Sequence, residues 1–361
     1  MNDTRLHFLD YGRVFCILGV CLVHSGFEQI TVITNFLMPF FFFLAGYTFN
    51  PNKYDFSSYV TVRFKRLIYP FWLFLVFYSL LNVLRQHYFS FEEILTTSHT
   101  LIGGLISMLY GSFIIPHITL PEQPYDFVPN LGSQLWFLPA MFSGCVIFYP
   151  LAKMLSKNFS VYKSAVVTTL LLALACTEVE FPCLYQLPWG IGRGFYASAT
   201  MLFGYFIRQK CDFDTLDKKN GTLVFFVSAA FWFVSVFTDS TAPNIIASNY
   251  GKYGSLSLVL SWLGVSGILL LIMFCRKLDK LNGGREIKWL SRLGKDVVWI
   301  YLLHHIFIFL CEVLFYKIGL PLKPDEFYAY IFPWEESIML HIFEVIAIFF
   351  GPVLLKRIFC K

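Results

Sequence analysis

Charged residues are scarce in this sequence, and that scarcity limits the kind of protein it can form. Asp, Glu, Lys and Arg make up 14% of the 361 residues, whereas hydrophobic residues make up 57%. Soluble globular proteins carry about 25% charged residues, so this chain has too little charge to cover a water-exposed surface. The composition excludes a soluble domain and predicts an all-α, polytopic membrane protein.

Motifs for metal binding and for disulfide frameworks are missing as well. The nine cysteines include no CxxC pair, which argues against a zinc site or a set of structural disulfides. The histidines form no HExxH motif or equivalent, so the sequence predicts no metal. The net charge of +5 does not indicate a nucleic-acid partner, because the positive residues sit in short loops between apolar runs.

Apolar runs of helix length recur along the whole chain. Each is near the ~20 residues that an α-helix needs to cross a bilayer. We count about ten such spans, at residues 8–28, 31–49, 66–86, 135–155, 160–177, 189–208, 222–239, 255–275, 297–316 and 338–358. The first lacks a small-residue cleavage site, so we expect it to stay as a membrane anchor. The sequence predicts one integral-membrane domain over residues 1–361.

Lys and Arg are distributed unequally between the connections, and this inequality predicts the orientation. The connection after the eighth span is rich in them, whereas residues 86–134 contain none. The alternation predicts that both termini are cytoplasmic and that the 86–134 loop lies outside. Within that loop, residues 101–115 are apolar but short for a span, so we expect a re-entrant or interfacial segment.

The first span carries a row of polar residues. Arg13 and His24 are eleven residues apart, about three helical turns, so they share one helix face. Ionisable residues in a membrane helix indicate a functional site, but a snorkelling Arg13 and an interhelical hydrogen bond from His24 explain them equally well. Glu28 lies one turn past His24, in position to hydrogen-bond its imidazole. Asp10 lies one turn before Arg13.

Other spans carry polar or small residues with more ordinary explanations. Arg63 and Arg66 share a helix face at the cytoplasmic end of span three, which suits phosphate but also suits a positive-inside anchor. Gly46 permits close helix approach. Trp136 is placed for the outer aromatic belt, and Arg193 is expected at the outer interface.

Span nine contains two adjacent histidines in an apolar helix. Tyr301, His305 and Glu312 share one face, and His304 lies about 100° away. Such a pattern indicates either an internal polar cluster or hydrogen bonds that hold helices together. Span ten adds a weaker pair of candidates for the same cluster, His341 and Glu344.

Taken together, these motifs resemble those of membrane acyltransferase family 3, whose members have about ten spans. In chain order they are Arg13 and His24 with ten residues between them, Ala45-Gly46-Tyr47, Arg63-x-x-Arg66, LWFL at 135–138, and Tyr301-Leu-Leu-His304. Two positions depart from the family pattern. Val14 stands where the family often has Gly, and Ala45 where it often has Ser.

The resemblance implies an O-acyltransferase, most often an O-acetyltransferase, in a bacterial cytoplasmic (inner) membrane. Its donor would be cytoplasmic acetyl-CoA. Its acceptor would be a hydroxyl of a cell-surface polysaccharide or of a lipid-linked saccharide precursor.

The matching motifs assign roles to residues of this chain. His24 and Arg13 would be catalytic, Arg63 and Arg66 would bind the donor, and Tyr301 and His304 would support the site. From position in the sequence we add Glu28 to the catalytic group, and Asp10 and His305 to the supporting group.

Two mechanisms and two other functional classes stay open on the sequence. His24 acts either as a general base on the sugar hydroxyl or as a nucleophile that is itself acetylated. Buried His, Glu and Arg would also suit a proton-coupled transporter or exporter. A scaffold or glycan-export partner would leave the buried ionisable residues unexplained.

Overall fold

The computed structural model shows a helical chain. It describes residues 6–25, 27, 35–89, 108–111, 119–120, 123–124, 135–180, 187–210, 221–238, 255–319 and 338–359. Two strands of two residues each, β1 (Thr119–Leu120) and β2 (Gln123–Pro124), pair antiparallel with Thr119 opposite Pro124.

The helices follow the apolar runs of the sequence. They are α1 (His7–His24), α2 (Leu37–Tyr47), α3 (Phe56–Phe89), α4 (Phe137–Lys157), α5 (Val161–Glu180), α6 (Ile191–Lys210), α7 (Gly221–Thr238), α8 (Ser255–Leu263), α9 (Gly267–Leu281), α10 (Lys288–Lys317) and α11 (Ile338–Phe359). Short 3₁₀ turns, Pro188–Gly190 and Gly264–Ser266, precede α6 and α9. A helix lies at each of the predicted spans, with α8 and α9 together at one.

Among the described residues, six helical segments are long and apolar enough to cross a membrane. They are His7–His24, Phe56–Leu81, Phe137–Lys157, Ser255–Leu281, Lys288–Lys317 and Ile338–Ile358. Three shorter apolar helices are Leu37–Tyr47, Val161–Thr177 and Gly221–Phe237. The chain is therefore an all-α, multi-pass membrane protein. The count of about ten spans stays a prediction, and the expected re-entrant segment falls mostly outside the described residues.

The start of α3 differs from the predicted boundary at residue 66, because the helix begins at Phe56. The Asp55 carboxylate accepts a hydrogen bond of 2.8 Å from the backbone N–H of Ser58. Hydrogen bonds from Ser58 also hold the pKa of Asp55 below its usual value. An Asp in this position satisfies a backbone N–H that the first helical turn leaves open. Arg63 and Arg66 therefore lie inside α3 and not in the connection before it.

The described chain forms two compact units. Unit 1 draws on Met1–Phe40, Phe225–Ser240 and Leu263–Lys361, and unit 2 on Phe41–Val224 and Thr241–Trp262. The prediction of a single integral-membrane domain is not tested by this division, since both units consist of membrane-type helices.

In unit 1, α1 packs against α9, α10 and α11. Gly294 lets α10 approach α1 closely, because a Cβ atom at this position would lie 2.7 Å from both the Cβ and the carbonyl oxygen of Asp10. The Tyr11 hydroxyl accepts a 2.8 Å hydrogen bond from the backbone N–H of Ile287, just before α10. These contacts fix how α1 and α10 lie against each other.

In unit 2, α4 packs against α3 and α6, and α6 also packs against α5. The backbones of α2 and α6 touch at two glycines, because a side chain at Gly46 would overlap the carbonyl of Met201 and one at Gly204 would overlap the carbonyl of Phe43. Small residues at such crossings are the usual basis of helix packing in membranes. The expected close approach at Gly46 is confirmed.

Candidate active site

Three histidines meet in unit 1, where the end of α1 crosses the middle of α10. His24 is the last residue of α1, and His304 and His305 lie on α10. The His24 ring centroid is 5.1 Å from that of His304 and 4.9 Å from that of His305, and the latter two are 4.5 Å apart. One nitrogen from each ring lies within 4.8 Å of the other two. We call these three residues the histidine cluster.

Hydrogen bonding fixes the orientation of His304 within the histidine cluster. Its Nδ1 lies 2.8 Å from the carbonyl oxygen of Tyr301, one turn earlier on α10. A carbonyl only accepts, so Nδ1 carries the proton and Nε2 of the neutral ring has the lone pair. Within the part of the chain that the structure describes, this buried Nε2 has no hydrogen-bond partner.

Burial differs among the three rings. His304 and His305 are fully buried, whereas His24 is partly exposed. His24 is therefore the member of the cluster that retains some accessible surface. Helical spacing predicts that His304 and His305 point about 100° apart around α10. Both rings nevertheless contact His24, because His24 lies between these two directions.

Arg13 and Asp10 form a separate pair toward the other end of α1. The guanidinium Nη1 of Arg13 donates a 2.6 Å hydrogen bond to Oδ1 of Asp10. Asp10 is 2% exposed, whereas about a third of the Arg13 side chain (32%) remains accessible. Eleven residues of helix rise separate Arg13 from His24 by roughly 16 Å. Arg13 is thus held by its own helix and does not touch the histidine cluster.

A second set of polar side chains lies beside the histidine cluster and includes residues of α11. Nδ1 of His341 lies 2.7 Å from the carbonyl oxygen of Ser25, the residue after His24. His341 also lies 3.9 Å from the Glu344 carboxylate, and Glu312 on α10 is buried. The two candidates of span ten thus adjoin the end of α1. Glu28, predicted to pair with His24, lies outside the described residues.

The two arginines of α3 have different surroundings in unit 2. The Arg63 guanidinium lies 4.9 Å from the centroid of the Tyr59 ring, one turn earlier. Tyr59 and the buried Cys145 thiol of α4 flank it. Arg66 is exposed. Arg63 is therefore positioned by aromatic and thiol neighbours that the sequence did not indicate, whereas Arg66 remains accessible.

Two expectations about interface residues were wrong. Arg193 and Trp136, expected at the outer membrane interface, are only 3% and 6% exposed inside unit 2. Arg193 lies on α6, where a Cβ atom at Gly194 would come within 2.8 Å of the Ser143 side chain. The alternate glycines around Arg193 were the sequence signal of this tight packing, because glycines allow two helices to come close.

Comparison with known proteins identifies the family whose features these helices carry. A protein-family model described as an acyltransferase domain (acyltransferase family 3) matches residues 6–356. No curated protein and no solved structure matches the chain. The matched region includes both α1 and α10, which bring the histidine cluster together.

Proposed function

This chain belongs to acyltransferase family 3, and from that premise we propose that it transfers an acetyl group from acetyl-CoA to a hydroxyl of a glycan. That it is a multi-pass membrane acyltransferase follows from the family match and the apolar helices. The family match does not favour the transporter or scaffold interpretations. The observation that carries the finer proposal is the meeting of His24 with His304, since each belongs to a motif that resembles the family's.

We assign the general base to His24. It is the partly exposed member of the histidine cluster, and the lone pair of a neutral imidazole accepts a proton. His304 and His305 surround it and hold the ring in a confined site. Tyr301 supports the arrangement through its carbonyl, which fixes the His304 ring.

The transfer then takes place in two steps, addition of the hydroxyl to the thioester carbonyl and loss of CoA. His24 removes the proton from the acceptor hydroxyl while the oxygen attacks the thioester carbonyl, which gives a tetrahedral intermediate. The intermediate collapses, the C–S bond breaks, and the His24 imidazolium returns the proton to the departing thiolate of CoA. An acetyl-histidine route differs only in that a ring nitrogen of His24 attacks first and the hydroxyl attacks second.

The donor is proposed to bind through arginine. CoA carries several phosphate groups, and a guanidinium binds phosphate through paired hydrogen bonds. Arg66 is exposed and Arg63 is held beside Tyr59, so one of them is free to meet a ligand and the other is preorganised. Arg13, partly accessible and fixed by Asp10, is a third candidate at the donor side.

The acceptor is proposed to be a cell-surface polysaccharide or its lipid-linked precursor, approaching from the outer side. The predicted topology places His24 in the outer half of α1, and the termini in the cytoplasm. Fusing a topology reporter at Pro121 tests this orientation, and a cytoplasmic reporter would overturn it. The buried His341 holds the chain next to His24 through the Ser25 carbonyl, so it supports the site from behind.

Labelled acetyl-CoA and purified protein in lipid nanodiscs test the reaction. The unaltered chain is expected to release CoA and to label an extracted glycan fraction. The His24→Ala variant should lose both activities while keeping its elution profile. His7→Ala is a matched control, because His7 lies on the same helix but pairs with Glu286 at 3.6 Å, far from the histidine cluster. Full acetyl transfer by His24→Ala would refute the assignment.

A further inference from the structure

The histidine cluster has a second chemical capacity besides proton transfer. We propose that His24, His304 and His305 form a binding site for a borderline-soft divalent cation, Zn²⁺ above all, and that the bound ion blocks acyl transfer. No motif in the sequence predicts such a site, since HExxH is absent and the ligands come from residues about 280 positions apart. The inhibitory part of the proposal rests on the proposed function, whereas the binding part does not.

The positions of the ring nitrogens support the site. One nitrogen from each of the three rings lies within 4.8 Å of the other two. Tetrahedral zinc holds nitrogen ligands at about 2.0–2.1 Å, which places those nitrogens roughly 3.3 Å apart. The rings therefore need to close by about 1.5 Å at most. Rotation of the His24 and His305 imidazoles about their side-chain torsions is the movement that would close this distance, while the Tyr301 carbonyl holds the His304 ring in place.

The orientation of His304 is the second, independent observation. Metal-binding histidines almost always donate their other ring N–H to a backbone carbonyl or a carboxylate, which fixes the tautomer. His304 has this arrangement, with Nδ1 2.8 Å from the carbonyl of Tyr301. The remaining nitrogen, Nε2, is buried and has no hydrogen-bond partner among the residues that the structure describes. A buried lone pair without a donor is the group that a cation would satisfy.

The chemistry of the ligand atoms determines which ion the site prefers. Imidazole nitrogens suit Zn²⁺, Cu²⁺ and Ni²⁺, whereas Mg²⁺ and Ca²⁺ prefer oxygen ligands. Three protein ligands leave a fourth tetrahedral position for water. His24 is partly exposed, so an ion has a way to reach the cluster.

Metal binding and acyl transfer compete for the same atom. A lone pair of His24 that binds Zn²⁺ is not available to take a proton from a hydroxyl. The ion is therefore expected to inhibit the transfer, and a chelator to restore it. The cluster would make the enzyme sensitive to zinc without a separate regulatory domain.

Binding is tested with Co²⁺, whose tetrahedral complexes absorb visible light. The full chain in nanodiscs is titrated with Co²⁺ and then with Zn²⁺ as competitor. We expect one saturable site, displaced by Zn²⁺, and affinity at least about tenfold weaker in His304→Ala and His305→Ala. His7→Ala should bind as the unaltered chain does. Absence of a saturable site, or unchanged affinity in both cluster variants, would overturn the proposal.

Two further measurements accompany the titration, one of histidine protection and one of activity. If the alanine variants fail to fold, protection of histidines from diethyl pyrocarbonate by Zn²⁺ in the unaltered chain tests the site directly. Modification of His24 at the same rate with and without Zn²⁺ counts against the site.

The activity measurement adds Zn²⁺ to the acetyl-CoA assay. Inhibition reversed by chelator is expected, and stimulation would overturn the inhibitory role. Zinc binding without any acetyl transfer would refute the proposed function and leave the metal site standing.

Discussion

The two ends of α1 hold ionisable residues in different ways. Near the start of the helix, Asp10 and Arg13 pair with each other one turn apart. At its last residue, His24 meets His304 and His305, about 280 positions later in the chain. The first arrangement is made within one helix, although α10 also packs against Asp10 at Gly294. The second exists only while α1 and α10 stay in place against each other.

The pair at the arginine end depends mainly on one helix, whereas the histidine cluster depends on the packing of two helices. A pair on one helix can form as soon as that helix forms, and the partly accessible Arg13 guanidinium keeps N–H donors that an anionic ligand can use. A cluster shared by two helices is sensitive to sub-ångström changes in their crossing, because reacting groups must stay close to productive geometry. The histidine end of α1 should therefore be the more sensitive of the two to substitutions that change how α1 and α10 pack.

The largest effect is expected from removing the imidazole at the histidine end. His24→Gly should lower the rate of acetyl transfer by about 10²–10⁴-fold, which is the contribution of a positioned general base. Free imidazole added to the assay should restore part of the rate, because the glycine leaves space for it. Rates are measured with labelled acetyl-CoA. A loss that imidazole never rescues, in a variant that folds normally, would indicate that His24 has a structural role.

The next largest effect is expected where α10 touches α1. Gly294→Val places a side chain against the backbone of Asp10, so it should destabilise the protein by about 1–3 kcal/mol. The same change should reduce the transfer rate, since it moves His304 and His305 away from His24. Thermal denaturation in detergent and the acetyl-CoA assay measure the two effects.

The control for this change is Lys295→Val, which puts the same side chain at the exposed neighbouring position. It should leave both stability and rate nearly unchanged. Equal losses in the two variants would show that the Gly294 contact is not what holds the two helices in register.

A smaller effect is expected at the arginine end. Asp10→Asn removes the charge that holds Arg13, and its main consequence should be weaker donor binding. We expect the KM for acetyl-CoA to rise about fivefold, equivalent to about 1 kcal/mol, with little change in kcat. Arg13→Lys should give the same pattern, because a lysine loses the planar fork of the guanidinium. A fall in kcat at constant KM would move Arg13 from donor binding into the chemistry.

The smallest effect is expected from Tyr11→Phe. The variant loses the acceptor for the Ile287 N–H and should cost about 1 kcal/mol in stability. The Gly294 contact still holds α10 against α1 in this variant, so kcat should stay within about twofold of the unaltered chain, a change of under half a kcal/mol. A larger fall in kcat would show that the contact before α10 also sets the position of His304.

Single helices and their polar faces could be predicted from the sequence, whereas their partners could not. The 3.6-residue period placed Arg13 and His24 on one face of α1, and hydropathy located the runs that form the helices. The meeting of His24 with both His304 and His305 depends on the crossing of α1 and α10, which periodicity within one helix does not determine.

The local chemistry of a side chain does not determine its surroundings at a few other positions. Arg193 and Trp136 have side chains that commonly lie at membrane interfaces, but tight packing of α4 and α6 buries both in unit 2. The boundary of α3 was placed ten residues too late, because polar residues such as Arg63 and Lys65 resemble a loop. The cap at Asp55 was the overlooked helix start.

The contact between α2 and α6 sets an order for biosynthesis. Gly46 and the Met201 carbonyl that it touches are about 155 residues apart. A ribosome adds about 5–20 residues per second, so α2 waits roughly 8–30 s in the membrane before α6 is made. During that interval its glycine face is open to lipid or to other nascent chains. A chain truncated before α6 would leave this face of α2 without its partner.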